Sequence, residues 1–255
     1  MDPTARFVEI VQRSDAELPL DEALFLIAAH DHDVDLDTQL ARLDALARDA
    51  PSDADGLARH LFGEDGFAGN EVDYTDTRNS YLDRVLDRRL GIPITLSILM
   101  MEVGRRRGLE LAGIGMPGHF LVGGSGGAYY DPFHGGRRLD ADGARAVFTA
   151  IRADATFHDE FLEPVGSHAI LARVLANLLH ALVDRAPSAA AWAARLRLQI
   201  PGLSASERRD VATLLGSLGR FAEAASALEA IVPDLDEASA ARTARDAAAL
   251  RARAN

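Results

Sequence analysis

The residues of this sequence best suited to chemistry are a histidine and an aspartate, His119 and Asp131, on either side of a glycine-rich stretch. The stretch 123–127 predicts a turn between two short apolar strands. If that turn is centred on Ser125, residues pair when their numbers sum to 250, and His119 lies directly opposite Asp131. A carboxylate directly across a strand pair from a histidine can reach the imidazole and orient it for proton transfer. The spacing therefore predicts a histidine–carboxylate pair on one face of a hairpin.

A nucleophile for this pair would have to be a hydroxyl group, because the sequence contains no cysteine. Thr95 and Ser97 lie in segment 93–107, which is apolar almost all round and predicts a buried central helix beginning at Pro93. An unactivated hydroxyl needs an adjacent base before it can attack a carbonyl. A hydrolase or acyl-transfer enzyme that uses Ser97 or Thr95 with the His–Asp pair is therefore one hypothesis.

The first third of the chain is predicted to be helical. Apolar residues recur at helical spacing over 4–30, and a break at Pro19 separates two helices there. A third helix is predicted over 37–48, and a short fourth one contains Leu57, Leu61 and Phe62. The glycine-rich run 63–79 has no sustained period and is predicted to be a loop.

The rest of the chain alternates between helix, strand and helix. Residues 80–90 predict a short helix that ends at Gly91, and Gly108 ends the central helix. Residues 109–133 have the pattern of strands, and helices return from Ala144. The tail from His168 is rich in Ala and Leu at helical spacing, with breaks near Pro187, Pro201 and Pro233.

Several short motifs together resemble the bacterial SirB family, which comprises transglutaminase-like proteins with a tetratricopeptide-type C-terminal region. The likeness covers about residues 5–235. It rests on Asn79-Ser80-Tyr81-Leu82, Arg89, Gly91-Ile92-Pro93-Ile94-Thr95-Leu96-Ser97, Pro117-Gly118-His119-Phe120-Leu121, Asp131-Pro132-Phe133 and Gly135-Gly136. In the tail, Gly219-Arg220-Phe221-Ala222-Glu223-Ala224 with Leu228 and Pro233 is similar to half of a tetratricopeptide unit.

The resemblance implies an α+β fold: a transglutaminase-like, papain-like core with a central buried helix and an antiparallel sheet. Three regions are expected. They are an N-terminal helical segment over 1–78, the core over 79–165 and a helical, tetratricopeptide-like region over 166–255.

In active transglutaminase-like proteins a cysteine opens the central helix, a histidine lies on the next strand and an aspartate on the strand after it. With Gly91, Arg105 and Gly108 in register, the cysteine position falls on Pro93. The resemblance thus implies a remnant triad of His119 and Asp131 without its nucleophile. The residues expected to line the same pocket are Asn79, Arg89, Thr95, Ser97 and His134.

The missing thiol favours a non-catalytic role, in which the groove binds a peptide or a partner protein and the helical tail offers a second surface. His134 lies beside two glycines, so it could line the cleft or simply occupy a turn. The His119–Asp131 bond could equally be structural. The function is therefore left between a binding or regulatory protein and the hydroxyl-dependent enzyme described above.

Composition and charge limit the classes of partner that this protein is expected to bind. The net charge is −12, every basic residue is arginine, and residues 1–80 hold 19 acids against 6 arginines. Such acidity repels phosphate backbones, so no nucleic acid is expected. With no leader or apolar span, no membrane contact and a cytoplasmic location are expected. The acidic run from His30 to Asp37 lacks the glycine and distal glutamate of a calcium loop, so neither a metal nor a cofactor is expected.

Overall fold

The N-terminal third of the computed structural model, which describes residues 2–254, is built from helices. They are α1 (Pro3–Val11), α2 (Leu20–Ala28), α3 (Leu36–Asp49) and α4 (Ala54–Arg59), and α4 continues into a π-helical turn over His60–Glu64. Asp2 caps α1 by accepting a hydrogen bond from the Thr4 amide, and Pro19 is the residue before α2. The predicted helices and the break at Pro19 are confirmed.

The helix predicted over 80–90 is α5 (Leu82–Arg88), but the prediction that Gly91 ends it is wrong. Arg89 ends it instead, in the left-handed conformation with φ 56° and ψ 26°. Its amide donates to the carbonyl of Val85, so the turn closes two residues before the glycine. Gly91 belongs to a two-residue strand β2 (Leu90–Gly91), which pairs in parallel with β1 (Ala68–Gly69) inside the predicted loop.

The central helix is α6 (Pro93–Arg106), and it begins at the predicted proline. Proline suits the first helical position, because the amide it lacks would have no partner there and its φ is already helical. Almost every side chain from Pro93 to Gly104 is buried, as the all-round apolar pattern predicts. Gly108, with φ 74°, lies just beyond the end of the helix.

The sheet has five strands in the order β6-β5-β4-β3-β7, with every neighbouring pair antiparallel. The strands are β3 (Ala112–Ile114), β4 (Leu121–Gly123), β5 (Tyr129–Asp131), β6 (Arg137–Leu139) and β7 (Pro164–Val165). The first three and the β4–β5 hairpin were predicted. The outer strands β6 and β7 were not, because β6 begins with two exposed arginines and β7 has only two residues, so neither shows an apolar strand pattern.

The C-terminal half is helical, as predicted. It comprises α7 (Ala141–Ile151), α8 (Ser167–Leu182), α9 (Pro187–Leu198), α10 (Ala205–Ser217), α11 (Phe221–Glu229) and α12 (Glu237–Ala254). Pro187 is the first residue of α9, Pro201 lies between α9 and α10, and Pro233 lies in the turn before α12. No helix in residues 2–254 is both long and apolar enough to cross a membrane.

One large apolar cluster ties these parts together. It contains fully buried side chains from α1, α6, α8 and α10, such as Phe7, Leu99, Leu175 and Leu215. A smaller cluster around Phe148 covers the opposite side of the sheet, where α7 packs. The expected α+β class, with a buried central helix, an antiparallel sheet and a helical C-terminal region, is confirmed.

Candidate functional site

His119 and Asp131 are hydrogen bonded across the β4–β5 hairpin, with 2.9 Å between His119 Nε2 and Asp131 Oδ1. Both side chains are buried, with exposed fractions of 3% and 0%. The predicted direct opposition is wrong, because the register pairs Val122 with Tyr130. The turn is centred one residue later than predicted, at Gly126 with φ 66°. A shift of the pairing by two positions keeps both residues on one face, so they still meet diagonally.

Asp131 is shared among three donors. Its Oδ2 accepts hydrogen bonds from His134 Nδ1 at 2.8 Å and from Arg137 at 3.2 Å, in addition to the His119 bond on Oδ1. Burial by itself raises the pKa of Asp131, but the hydrogen bonds and charges of His119 and His134 outweigh burial and lower the pKa to about 2. The carboxylate is therefore ionised at any pH near neutrality.

An ionised Asp131 fixes the tautomer of His119. Because the carboxylate can only accept, Nε2 of His119 carries the hydrogen, and Nδ1 is the nitrogen able to accept a proton when the ring is neutral. Within residues 2–254, Nδ1 makes no hydrogen bond. The ring is thus oriented as a general base would be, with one nitrogen held and the other available.

Aromatic rings surround the pair. The Phe133 ring lies edge-on to His119 at 6.2 Å between centroids, and the Tyr74 ring lies edge-on to Phe133 at 6.0 Å. Gly69 makes this packing possible, because a Cβ on it would lie 2.6 Å from the Phe133 ring. The short strand β1 therefore closes one side of the site.

Neither predicted hydroxyl reaches the histidine. Ser97 is fully buried and its hydroxyl donates to the carbonyl of Phe120 at 3.4 Å. Thr95 is also fully buried; its hydroxyl accepts from the Ile92 amide at 3.1 Å and lies 2.8 Å from the carbonyl of Asn79 as a donor. Both hydroxyls hold backbone in place, so neither is presented to a substrate.

Pro93 is the first residue of α6, and α6 packs against β4 and the turn 132–134. This proline is buried and carries no group that could attack a carbonyl. The site thus combines an oriented imidazole and an ionised carboxylate with no nucleophile at the start of the helix.

The remaining predicted pocket residues are distributed differently. Asn79 is fully buried and its side chain holds the loop before α5 by donating to the carbonyls of Asp73 and Tyr74. Arg89 points away to the carbonyl of Asp65 and over the Phe67 ring, so it lies apart from the pair. His134 does both things that were left open: it occupies the turn 132–134 and bonds Asp131.

His119, Asp131 and His134 lie close enough to share an ion, since one potential donor atom from each lies within 4.8 Å of the others. The bonding argues against this use. Both carboxylate oxygens of Asp131 already accept from the two imidazoles, and Arg137 places a positive charge beside Oδ2. The residues present therefore fit a hydrogen-bonded cluster better than a metal centre.

Sequence reasoning missed Arg173 of α8, which donates to the carbonyl oxygen of His119 at 2.8 Å. Its guanidinium carbon lies 5.6 Å from the centre of the Phe120 ring. The signal was present, because this arginine interrupts the apolar run around Leu171, Ala172 and Val174 in a predicted helix. A charge among buried neighbours marks a position with a specific partner.

A family model described as the transglutaminase-like superfamily matches residues 30–176, which is more than half of the chain. The chain belongs to the transglutaminase-like superfamily. The matched part of this transglutaminase-like protein contains α6, the hairpin with His119 and Asp131, and most of α8.

Two bacterial relatives share one name. The chain is similar to the "UPF0162 protein" of Xylella fastidiosa, at 41% identity over 152 residues that cover 56% of this chain and 54% of the relative. A "UPF0162 protein" of Vibrio cholerae is 37% identical over 92 residues, 34% of each chain. The match therefore spans about half the length of the Xylella relative.

A eukaryotic relative matches over a shorter stretch. The human "F-box only protein 21" is 38% identical over 68 residues, which cover 27% of this chain and 11% of that protein. No solved structure matches the chain of this transglutaminase-like protein.

Proposed function

We propose that this protein is a non-catalytic transglutaminase-like protein that binds a peptide or a partner protein at the groove beside His119. The observation that carries the proposal is the start of α6, where a buried proline, Pro93, is the first helical residue and aligns, by the resemblance, with the nucleophile of active relatives. His119 and Asp131 are hydrogen bonded at 2.9 Å, so the proposed site has an oriented imidazole but lacks the group that begins acyl transfer.

Exposed apolar side chains on the loop next to Phe133 and His119 support a binding role. Val72 is fully exposed and Tyr74 is 48% exposed, both on the loop that precedes α5. The Tyr74 ring also packs on Phe133, which packs on His119, so the loop continues the surface of the site. Aromatic and aliphatic side chains exposed next to a cleft are typical of recognition surfaces.

The alternative enzyme is disfavoured by the positions of its hydroxyls. Ser97 and Thr95 are fully buried, and each is bonded to backbone. Reaching a substrate would require α6 to move out of the core. We therefore prefer binding to hydroxyl-dependent hydrolysis.

We also propose that the chain is a SirB-type protein whose C-terminal region is tetratricopeptide-like. The pair α10 and α11 supports this, because Gly219, with φ 75°, joins the two helices and small residues lie where they touch. A Cβ on Gly216 would lie 3.8 Å from that of Ala224. Partners are proposed to be proteins rather than nucleic acids, given the net charge of −12. A cytoplasmic location stays a prediction.

The proposal is tested with peptides selected from a displayed random library on the purified protein. The affinity of a selected synthetic peptide is then measured by calorimetry. We expect Tyr74→Ser and Val72→Ser to weaken binding at least fivefold, and Val232→Ser, a partly buried tail position, to leave it unchanged. Affinities that ignore both loop substitutions would contradict the proposal.

A parallel assay addresses catalysis. The wild-type protein should transfer no amine to glutamine and should hydrolyse no activated ester above background. Turnover that survives repeated chromatography and is lost in His119→Ala would replace the binding proposal with an enzymatic one.

A further inference from the structure

A cavity of about 570 Å³ opens between the sheet and the helical tail. Its walls come from the loop before α2, the β3–β4 region, α8 and the α9–α10 connection. The residues that matter to its chemistry are Gly115, Phe120, His168, Arg173, Arg197 and Glu207. A volume of this size can hold a ligand of moderate size or the end of a peptide.

The two arginines of this cavity differ in their pairing. His168 lies 2.8 Å from Asp15, and Arg197 is paired with a carboxylate, that of Glu207, at 3.0 Å. Arg173 has none: in residues 2–254 its guanidinium forms no ion pair and makes one hydrogen bond, to the carbonyl of His119. Four of its five N–H donors are therefore left without a protein acceptor.

The position of Arg173 makes this state costly. Its guanidinium lies against the Phe120 ring and beside Gly115, where an added Cβ would be 3.7 Å from Nη1. Burial lowers the pKa of Arg173, partly opposed by the nearby Tyr74. A partly buried cation without a counter-charge is unfavourable unless an anion can join it.

Space for such an anion is present. Ala169, Ala172 and Ala176 lie at helical spacing around Arg173 on α8, and all three line the cavity. Their small side chains leave the guanidinium open toward the cavity. Its planar fork matches a carboxylate, which it can hold with two parallel hydrogen bonds.

We infer that this cavity binds a carboxylate-bearing ligand, with Arg173 as the residue that pairs with the carboxylate. A small organic acid and the C-terminus of a peptide present the same carboxylate to the guanidinium, and the experiment distinguishes these two sources. Val72 and Tyr74 do not line the cavity, although Tyr74 lies near Arg173. The inference rests on the cavity and on Arg173, and not on the proposed peptide-binding function.

The site also touches the His119 cluster. Because the same guanidinium donates to the carbonyl of His119, a bound carboxylate would fix a side chain that holds the β4 end of the hairpin. Binding of a ligand in the cavity should therefore change the environment of His119.

The experiment is an NMR titration of the full-length protein with matched acid and amide probes. The small-molecule pair is benzoate and benzamide, and the peptide pair is N-acetyl-trialanine with a free or an amidated C-terminus. Inorganic phosphate is the third arm. We expect an acid to bind at least tenfold more tightly than its amide and to shift the signals of Arg173 and of α8. The pair with the tighter acid identifies the source of the carboxylate.

Substitutions test whether the acid binds in this cavity. Ala169 is exposed at the cavity wall, so Ala169→Phe should fill the opening without disturbing the core and should weaken acid binding at least tenfold. Arg173→Gln should do the same, and its far-ultraviolet spectrum reports whether it folds. Arg185→Gln, which removes an exposed arginine paired with Asp73, is the matched control and should bind as wild type.

Equal affinity for acids and amides, or acid binding that persists in Ala169→Phe, would overturn the site. Phosphate binding tighter than either acid would overturn the assignment to carboxylates. Both results can be reached even if Arg173→Gln does not fold, because the other variant and the probes do not depend on it.

Discussion

His119 and Asp131 are bonded diagonally across the hairpin, at 2.9 Å, although their backbone positions are not directly opposite. The diagonal contact depends on one face of two short strands and on a turn that begins with Ser125. It leaves Asp131 free to accept from His134 and Arg137 on its other oxygen. The carboxylate therefore ties the hairpin, the turn 132–134 and strand β6 together.

The first prediction concerns how much the ionised Asp131 and its hydrogen bonds stabilise the fold at low pH. The pKa of Asp131 is about 2 in the folded protein, below the ordinary value of 3.8. A lowered carboxyl pKa stabilises the fold above about pH 4, and this contribution is lost as the pH falls toward 2. The difference corresponds to about 2 kcal/mol.

Denaturant unfolding between pH 6 and pH 2 measures this effect in the wild type and in Asp131→Asn. We expect the variant to be less stable at pH 6 and the gap to narrow toward pH 2. Parallel stability curves would show that Asp131 is not held as an ion by its neighbours.

The second prediction concerns position 93. Pro93→Cys would give the protein its single thiol, at the first residue of α6, which the resemblance aligns with the nucleophile of active relatives. The partial positive charge at a helix N-terminus favours the thiolate. We expect a thiol pKa below about 8.5, measured from the pH dependence of iodoacetamide alkylation.

Ala248→Cys, on an exposed position inside α12, is the control and should titrate as an ordinary thiol. If Pro93→Cys reacts no faster than the control at pH 7, the start of α6 does not retain the environment that activates a nucleophile.

The third prediction compares how much the hydrogen bonds of the two buried hydroxyls, those of Thr95 and Ser97, contribute to the stability of the fold. Thr95→Val removes a donor to the carbonyl of Asn79 and an acceptor for the Ile92 amide, so the free energy of unfolding should fall by about 1–3 kcal/mol. Ser97→Ala removes a single long bond to Phe120 and should cost less than about 1 kcal/mol. Chemical denaturation compares them, and a reversed order would mean that Ser97 has a partner other than the carbonyl it contacts.

The fourth prediction concerns a buried ion cluster at the end of α6. Arg106 pairs with Asp21 at 2.7 Å and with Glu102 at 3.0 Å, and these carboxylates are only 4% and 6% exposed. Arg106→Gln leaves two buried acids short of a partner and should destabilise the fold by about 3 kcal/mol. Arg105→Gln is the control, since Arg105 contacts the same acids but is 61% exposed.

The loss in Arg106→Gln should depend on pH. Burial, followed by the charge of Asp21, raises the pKa of Glu102, so this group takes up a proton more readily than a free glutamate. Protonation removes one unpaired charge, and the defect should therefore shrink from pH 8 to pH 5. A defect of equal size in both arginine variants would argue against a buried network.

Several features could be predicted from the sequence because they are set by local rules. The helices, the start of α6 at Pro93, the β4–β5 hairpin and the face shared by His119 and Asp131 follow from periodicity, proline geometry and the alternation of strands. The exact centre of the turn could not be predicted, because residues 123–127 are all typical turn residues and allow more than one centre. The predicted contact still forms, because moving the turn centre by one residue shifts each cross-strand partner by two positions. A shift by two keeps a residue on the same face of the strand, whereas a shift by one would reverse it.

Other features depended on long-range packing. The sequence placed Ser97 and Thr95 on the central helix, but only the folded chain shows that their hydroxyls bond to Phe120 and Asn79. It gave no reason for Arg89 to take the left-handed position ahead of Gly91. Strands β6 and β7 depend on hydrogen bonds from a neighbouring strand, and their own residues, Arg137–Leu139 and Pro164–Val165, show no apolar strand pattern.

By itself, then, the sequence determined that this protein has no thiol, begins its central helix with a proline and keeps a histidine and an aspartate on one face. The tertiary structure decided that Asp131 serves three donors and that Arg173, far along the chain, meets the carbonyl of His119 without a carboxylate of its own. The reason is physical: local sequence sets backbone preference and the faces of each element, whereas the balance of buried charge depends on side chains brought together from distant segments.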